Sequence, residues 1–265
     1  VARLCKRGFK EYYRYKKHRS FPDALGNAIS QCVEYCTAVT NADESSLAEL
    51  CDSIVSNYSE LRTIRPIMLA TAQYSPEFLR KDKTFSNDRE IVLEAVKTTG
   101  VILKFVSDEL KNDKEVVLAA VTRYGPALKF ASPDLQNDRQ VVLTAVREKF
   151  LGYEALRYAQ PSFKNDKKIV LEAIETNGYA LEHASLKLKS DREVVLAAVR
   201  SNGRALEYAC PSLKRDKIVV LEAVRKRGDA LEYASNECKE DKQIVLEAVK
   251  SKGHAIVWAS KSMRR

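Results

Sequence analysis

Residues 112–135 read NDKEVVLAAVTRYGPALKFASPDL, and close variants of this line recur along most of the chain. Asp88, Asp113, Asp138, Asp166, Asp191, Asp216 and Asp241 each open the phrase, at intervals of 25, 25, 28, 25, 25 and 25 residues. After each Asp comes a basic or polar pair, an apolar block such as Val116-Val117-Leu118, then Ala with Val or Ile. Twelve residues beyond the Asp stands Gly100, Gly125, Gly178, Gly203, Gly228 or Gly253. An Asp in this place can accept the amide hydrogens left over in a helix's first turn, and its charge suits the positive end of the helix. The residues up to Gly make about three turns, which Gly is expected to end from the left-handed position. A shorter helix over 126–131 follows, and Ser132-Pro133 fits a cap and first turn.

The apolar positions 116, 117, 118, 120 and 121 are too widely spread for a one-sided stripe, so the long helix is touched on several sides. Leu118 is expected in the core, where truncation to Ala would cost about 2–5 kcal/mol. Two helices in 25 residues cannot bury their own apolar faces, whereas stacked neighbours can. The expected fold is all-α: a right-handed α-solenoid of about seven 25-residue helix-turn-helix repeats with N-terminal capping helices. Its seven repeats span 88–265, and Ser75-Pro76-Glu77 points to a degenerate first repeat over 61–87. Residues 1–60 read as a basic helix and capping helices, one over 22–38 and one from Ser46 with Glu49 placed for a capping box. The third repeat departs from the pattern. Phe150 stands where Gly is expected, and three extra residues lie between Glu148 and Glu154, so a kink or bulged loop is expected.

The phrase ND[KR]xVVLxAVxxxGxALxxAS resembles the tandem repeat of an uncharacterised family, the domain of unknown function numbered four-one-one-six. The resemblance covers about two thirds of the chain. It implies a repeat fold and, by analogy, a binding role; the family has no established activity.

Composition bounds the functional classes. The chain has 265 residues, 45% of them apolar and 31% charged, which suits a folded soluble protein. No window approaches the roughly 20 apolar residues of a membrane-spanning helix. The first residue is Val, read as a fragment, a processed chain or trimmed ends. Cys5, Cys32, Cys36, Cys51, Cys210 and Cys238 show paired spacing only at Cys32 and Cys36, and His18, His183 and His254 are the only histidines. Buried thiols in a reducing intracellular compartment are therefore expected rather than a metal site. No glycine-rich phosphate loop, HExxH or GxSxG motif occurs, so neither catalysis nor a cofactor is expected.

Comparing the repeats with one another separates invariant positions from free ones. The position after Ala-Leu reads Lys104, Lys129, Arg157, Glu182, Glu207, Glu232 and Val257, turning from basic to acidic along the array. These residues are the candidate surface for a protein partner. The next position holds Phe105, Phe130, Tyr158, His183, Tyr208, Tyr233 and Trp258. It could stack bases, but its three-residue offset from the core Ala favours packing between repeats. Basic residues gather where the long helices end, most densely at Arg225-Lys226-Arg227, a candidate anion contact. A second such candidate is the segment over 6–21, where Lys10, Arg14, Lys16 and Lys17 interleave with aromatic residues. It could bind RNA, an anionic surface or a partner groove, or dock on the acidic stretch 21–60, since the charges are +7 over 1–20 and −7 over 21–60. The expected function is a non-enzymatic scaffold or structural subunit. The alternatives are an RNA-binding solenoid and the docking arm of a larger enzyme.

Overall fold

The computed structural model describes residues 65–81 and 83–264, and every regular element among them is helical. The basic segment with Lys10, Arg14, Lys16 and Lys17, the capping helices before residue 61 and the Cys32–Cys36 pair lie outside the described residues. The chain forms two compact units, Val1–Arg123 and Tyr124–Arg265. In the first, long helices α1 (Arg65–Tyr74), α2 (Arg89–Thr98) and α3 (Lys114–Arg123) pack each on the next. In the second the same is true of α4 (Arg139–Val146), α5 (Lys167–Thr176), α6 (Arg192–Ser201), α7 (Lys217–Lys226) and α8 (Lys242–Ser251). No described helix is long and apolar enough to cross a membrane.

Each of α2 to α8 begins at its aspartate. Oδ1 of Asp113 accepts the amides of Glu115 and Val116 at 2.9 and 3.2 Å, and Asp216 holds Ile218 and Val219 in the same way. Such a cap is worth about 1 kcal/mol. The helix interior supplies the core: Val116, Val117, Ala120 and Val121 are fully buried, as are Val194, Val195, Ala198 and Val199. Leu118 is only half-buried, contrary to expectation. It sits at the edge of the buried face, one residue past Val117.

The glycine acts differently from the expectation too. Among the described residues no glycine has a positive φ. The long helix ends on an extended residue, for example Tyr124 at φ −150° or Asn202 at φ −144°. Glycine then opens a second helix. That helix is a 3-10 segment, as in Gly125–Phe130 and Gly203–Tyr208. The glycine is needed for space. A Cβ on Gly178, Gly203 or Gly228 would run into the carbonyl oxygen of Ala198, Ala223 or Ala248, the matching alanine of the next long helix. A short third segment completes the repeat. Ser132 caps Pro133–Gln136 through Leu135, as the Ser-Pro pairing predicts, and Ser107 caps Asp108–Lys111 through Leu110 without a proline. The repeat is therefore a three-segment unit rather than helix-turn-helix.

The irregular repeat forms a loop. α4 stops at Val146, and both oxygens of Glu148 accept amides, from Phe150 and Leu151, each at 2.9 Å. Phe150 is thrown outward, 84% exposed, and a Cβ on Gly152 would run into the Val146 carbonyl oxygen at the end of its own repeat's long helix, not into the next one. The three extra residues are absorbed there.

Charged residues join successive repeats inside each unit. Oδ2 of Asp113 receives Arg89 at 2.7 Å, that of Asp166 receives Arg139 at 2.6 Å, and that of Asp216 receives Arg192 at 2.7 Å. Lys167 reaches Asp191 and Lys217 reaches Asp241, at 2.8 and 2.7 Å. One carboxylate thus caps its own helix and binds the preceding repeat. The cations keep most of the carboxyls low. Asp113, Asp191, Asp216 and Asp241 are each lowered first by the hydrogen bond from their cation, and at Asp166 burial is outweighed by Arg139. A backbone bond adds to this link: the amide of Ser185 donates to Lys164, that of Cys210 to Lys189, and that of Ser235 to Lys214.

Candidate functional site

The 3-10 segments carry the variable positions. Three residues per turn place residues i and i+3 on one side, so the residue after Gly shares a face with the charged residue three further on. Lys104, Lys129, Arg157, Glu182 and Glu207 are all exposed, and Glu232 is half-buried. Ala and Leu of the same segments, such as Ala205 and Leu206, are fully buried and fix the segment to the core. In the second unit consecutive 3-10 segments pack side by side, which sets Lys129, Arg157, Glu182, Glu207 and Glu232 along one series.

The aromatic position is neither core nor free surface. Phe105, Phe130, Tyr158, His183, Tyr208 and Tyr233 are half-buried, and Trp258 is 37% exposed. Phe105, Phe130 and Tyr158 each lie against a cation of their own or a neighbouring repeat. The Lys129 ammonium lies 5.9 Å from the Phe130 centroid and 5.7 Å from that of Tyr158, and Arg157 lies over Tyr158 at 5.9 Å. In the first unit Arg80 and Lys104 each stand 5.5 Å from the Phe105 centroid. Cations favour the negative ring face. Tyr208 and Tyr233 lie beside acidic residues instead. Burial, then Glu182 and Glu207, raises the Tyr208 hydroxyl, and burial, then Glu207 and Glu232, raises that of Tyr233. The hydroxyl protons are thus retained beside the carboxylates.

His183 is the exception in this series. Its side chain is only 10% exposed, its Nε2 has no hydrogen-bond partner, and Glu154 stands 3.8 Å away. Burial lowers its pKa against the pull of Glu182 and Glu154. A neutral imidazole therefore sits where other repeats place an aromatic ring.

The basic cluster at the end of α7 is largely engaged within the fold. Arg225 pairs with Glu247 at 3.3 Å, and Arg227 grips Asp229 at 3.0 Å. Lys226 is exposed with no ion pair among the described residues. Arg147 and Arg200, at the same helix position as Arg225, reach Glu172 and Glu222 of the next repeat at 2.7 Å.

Sequence reading missed the residue after each Gly. In the second unit it reads Pro126, Tyr153, Tyr179, Arg204, Asp229 and His254. Asp229 is 6% exposed and is held by Arg227 and Lys252 at 3.0 Å and Arg204 at 3.6 Å, cations from three successive repeats. Burial would raise this carboxyl, but the hydrogen bonds from Arg227 and Lys252 outweigh it and hold it low. An acid among variable neighbours at one repeat position, with basic residues a repeat away on both sides, was the available signal.

The family described as Domain of unknown function (DUF4116) matches residues 68–111, 88–136, 113–164, 138–187, 166–214 and 216–264, and the chain belongs to it. Each of the last five matches opens on a capping aspartate. No curated protein and no solved structure matches the chain.

Proposed function

We propose that this chain is a non-enzymatic scaffold, a right-handed α-solenoid that binds a protein partner along the charged series on its 3-10 segments. The observation that carries this reading is the exposure of Lys129, Arg157, Glu182 and Glu207 on segments whose Ala and Leu are invariant and buried. The core stays constant while the exposed charge changes sign. Such patterned surfaces govern partner choice and encounter rate more than raw affinity. The rings against Lys129 and Arg157 restrain these two side chains, so less conformational entropy is lost on binding. A partner with an acidic stretch facing Lys129 and Arg157, and a basic one facing Glu182 and Glu207, matches the series.

The test is affinity purification with the natural chain and with a Lys104→Glu, Lys129→Glu, Arg157→Glu variant that melts like the natural chain. Loss of specific partners supports the reading, and an unchanged partner list removes this surface from consideration. The RNA-binding alternative draws less support from the described residues, because Arg225 and Arg227 already face carboxylates. Salt-dependent binding of single-stranded RNA would restore it.

A further inference from the structure

The 3-10 segments of the second unit treat their rings in two ways. Lys129 reaches the rings of Phe130 and Tyr158, in its own and the next repeat, and Arg157 lies over Tyr158. Glu182, Glu207 and Glu232 hold the matching positions further along. Glu182 and Glu207 stand beside Tyr208, and Glu207 and Glu232 beside Tyr233. Among the described residues no Lys or Arg lies over either ring, and none of the three carboxylates has an ion pair. Arg204 acts on Tyr179 and Tyr233 but is drawn first to Asp229, at 3.6 Å. Lys189 feels Glu182 without pairing with it. Tyr208 is steadied by Tyr179, whose ring meets it edge to face at 6.2 Å. Tyr208 and Tyr233 are half-buried, while Glu182 and Glu207 are exposed.

We propose that Tyr208 and Tyr233 are seats for two arginine side chains of a partner's basic segment, one per repeat, each guanidinium lying on a ring and paired with the carboxylates beside it. This deepens the scaffold reading and rests on it. The partner supplies here the cations that Lys129 and Arg157 supply to Phe130 and Tyr158 from within the chain. Arginine suits the seat better than lysine, because its planar fork stacks on an aromatic face and still donates to a carboxylate. The spacing selects the backbone. Packed helices, and the 3-10 segments they carry, lie about 8–10 Å apart. A polyproline-II segment brings every third residue to the same side after about 9.3 Å, so arginines three apart match consecutive seats. A β-strand brings every second residue to one side after only about 6.8 Å, which falls short.

The test is fluorescence anisotropy with the whole chain and a labelled synthetic peptide, Gly-Arg-Pro-Pro-Arg-Pro-Gly. Two controls replace both arginines by neutral citrulline or move them two apart, as Gly-Arg-Pro-Arg-Pro-Pro-Gly. The first peptide is expected to bind and both controls to bind more weakly. Tyr208→Leu with Tyr233→Leu keeps the carboxylates and removes the ring faces, and should weaken binding about five- to thirtyfold. Tyr208→Phe with Tyr233→Phe keeps the faces and should retain binding. Glu182→Gln with Glu207→Gln changes only exposed side chains and should also weaken binding, which keeps the test decisive if the leucine variant fails to fold. Equal affinity for the arginine and citrulline peptides overturns the proposal, as does equal affinity for the two spacings or indifference to Glu182→Gln with Glu207→Gln. The scaffold reading fails by a separate result, an unchanged partner list when Lys104, Lys129 and Arg157 are reversed in charge.

Discussion

The carbonyl oxygen of Ala223 stands where a side chain on Gly203 would have to begin. The two residues belong to successive repeats, and no left-handed backbone is involved. Gly203→Ala should therefore destabilise the protein by about 1–3 kcal/mol through overpacking. Gly253→Ala, at the matching place with open space around it, should be neutral or stabilising by up to about 0.5 kcal/mol through the unfolded chain. Urea unfolding of the two variants side by side checks the contrast.

Two leucines of the first unit separate core from edge. Leu103 is fully buried, and Leu103→Ala should cost about 2–5 kcal/mol. Leu118 is half-buried, and Leu118→Ala should cost about 1–2 kcal/mol. Equal losses in thermal or chemical melts would contradict this division.

The capping aspartates make stability depend on acid. Hydrogen bonds from Arg89, Lys167, Arg192 and Lys217 hold Asp113, Asp191, Asp216 and Asp241 below the ordinary carboxylate range. The unfolded chain then takes up protons first as pH falls. Their contribution is complete above the unfolded carboxylate pKa of about 3.9 and is lost as pH drops through that value toward the lower folded ones. Asp216→Asn keeps a capping oxygen but loses the charge that meets Arg192. It should be less stable at pH 7 and show a shallower acid slope, read from urea midpoints across the pH range.

His183→Phe replaces a buried, unpartnered Nε2 with the ring found at positions 105 and 130. It should stabilise by about 1 kcal/mol at neutral pH. The folded histidine resists protonation because burial lowers its pKa, with Glu182 and Glu154 opposing and Arg157 and Lys164 assisting. The natural chain therefore loses stability as pH falls below the unfolded histidine value of about 6.5, and the variant's advantage should widen there. A gap that stays constant from pH 7.5 to 5.5 would show that His183 does not titrate against folding.

Asp229→Ala leaves Arg204, Arg227 and Lys252 crowded around a buried gap. It should cost about 1–3 kcal/mol, the usual penalty for stranding charged hydrogen-bond donors. A double variant with Arg227→Ala should recover part of that loss. Additive losses would mean the three cations do not share the carboxylate.

The repeat, its aspartate caps and its Ser-Pro starts were legible because each rests on local rules that a single line of sequence obeys. What Asp113, Asp166, Asp191, Asp216 and Asp241 do with their second oxygen was not legible, because it depends on which residue 24 to 27 positions earlier comes close in space. Gly203 was misread for a similar reason. Glycine has two uses, left-handed backbone and close approach, and only the position of Ala223 decides between them. The candidate surface was legible as a sign change at Lys129 to Glu232, whereas its pairing of cations with ring faces and carboxylates with tyrosine hydroxyls required the geometry of neighbouring segments. Phe150 shows the limit of register. Counting located the irregularity, but not that Gly152, two residues later, packs against the end of its own helix at Val146.

The doubly used carboxylate also gives the array a direction in time. Arg192 is made before Asp216, so a chain leaving the ribosome presents each new aspartate to a cation already held in a folded repeat. The starts of α3, α5, α6, α7 and α8 are thus completed by the repeat synthesised just before each. Assembly can advance from the first repeats toward the last in step with translation, without waiting for distant segments to meet.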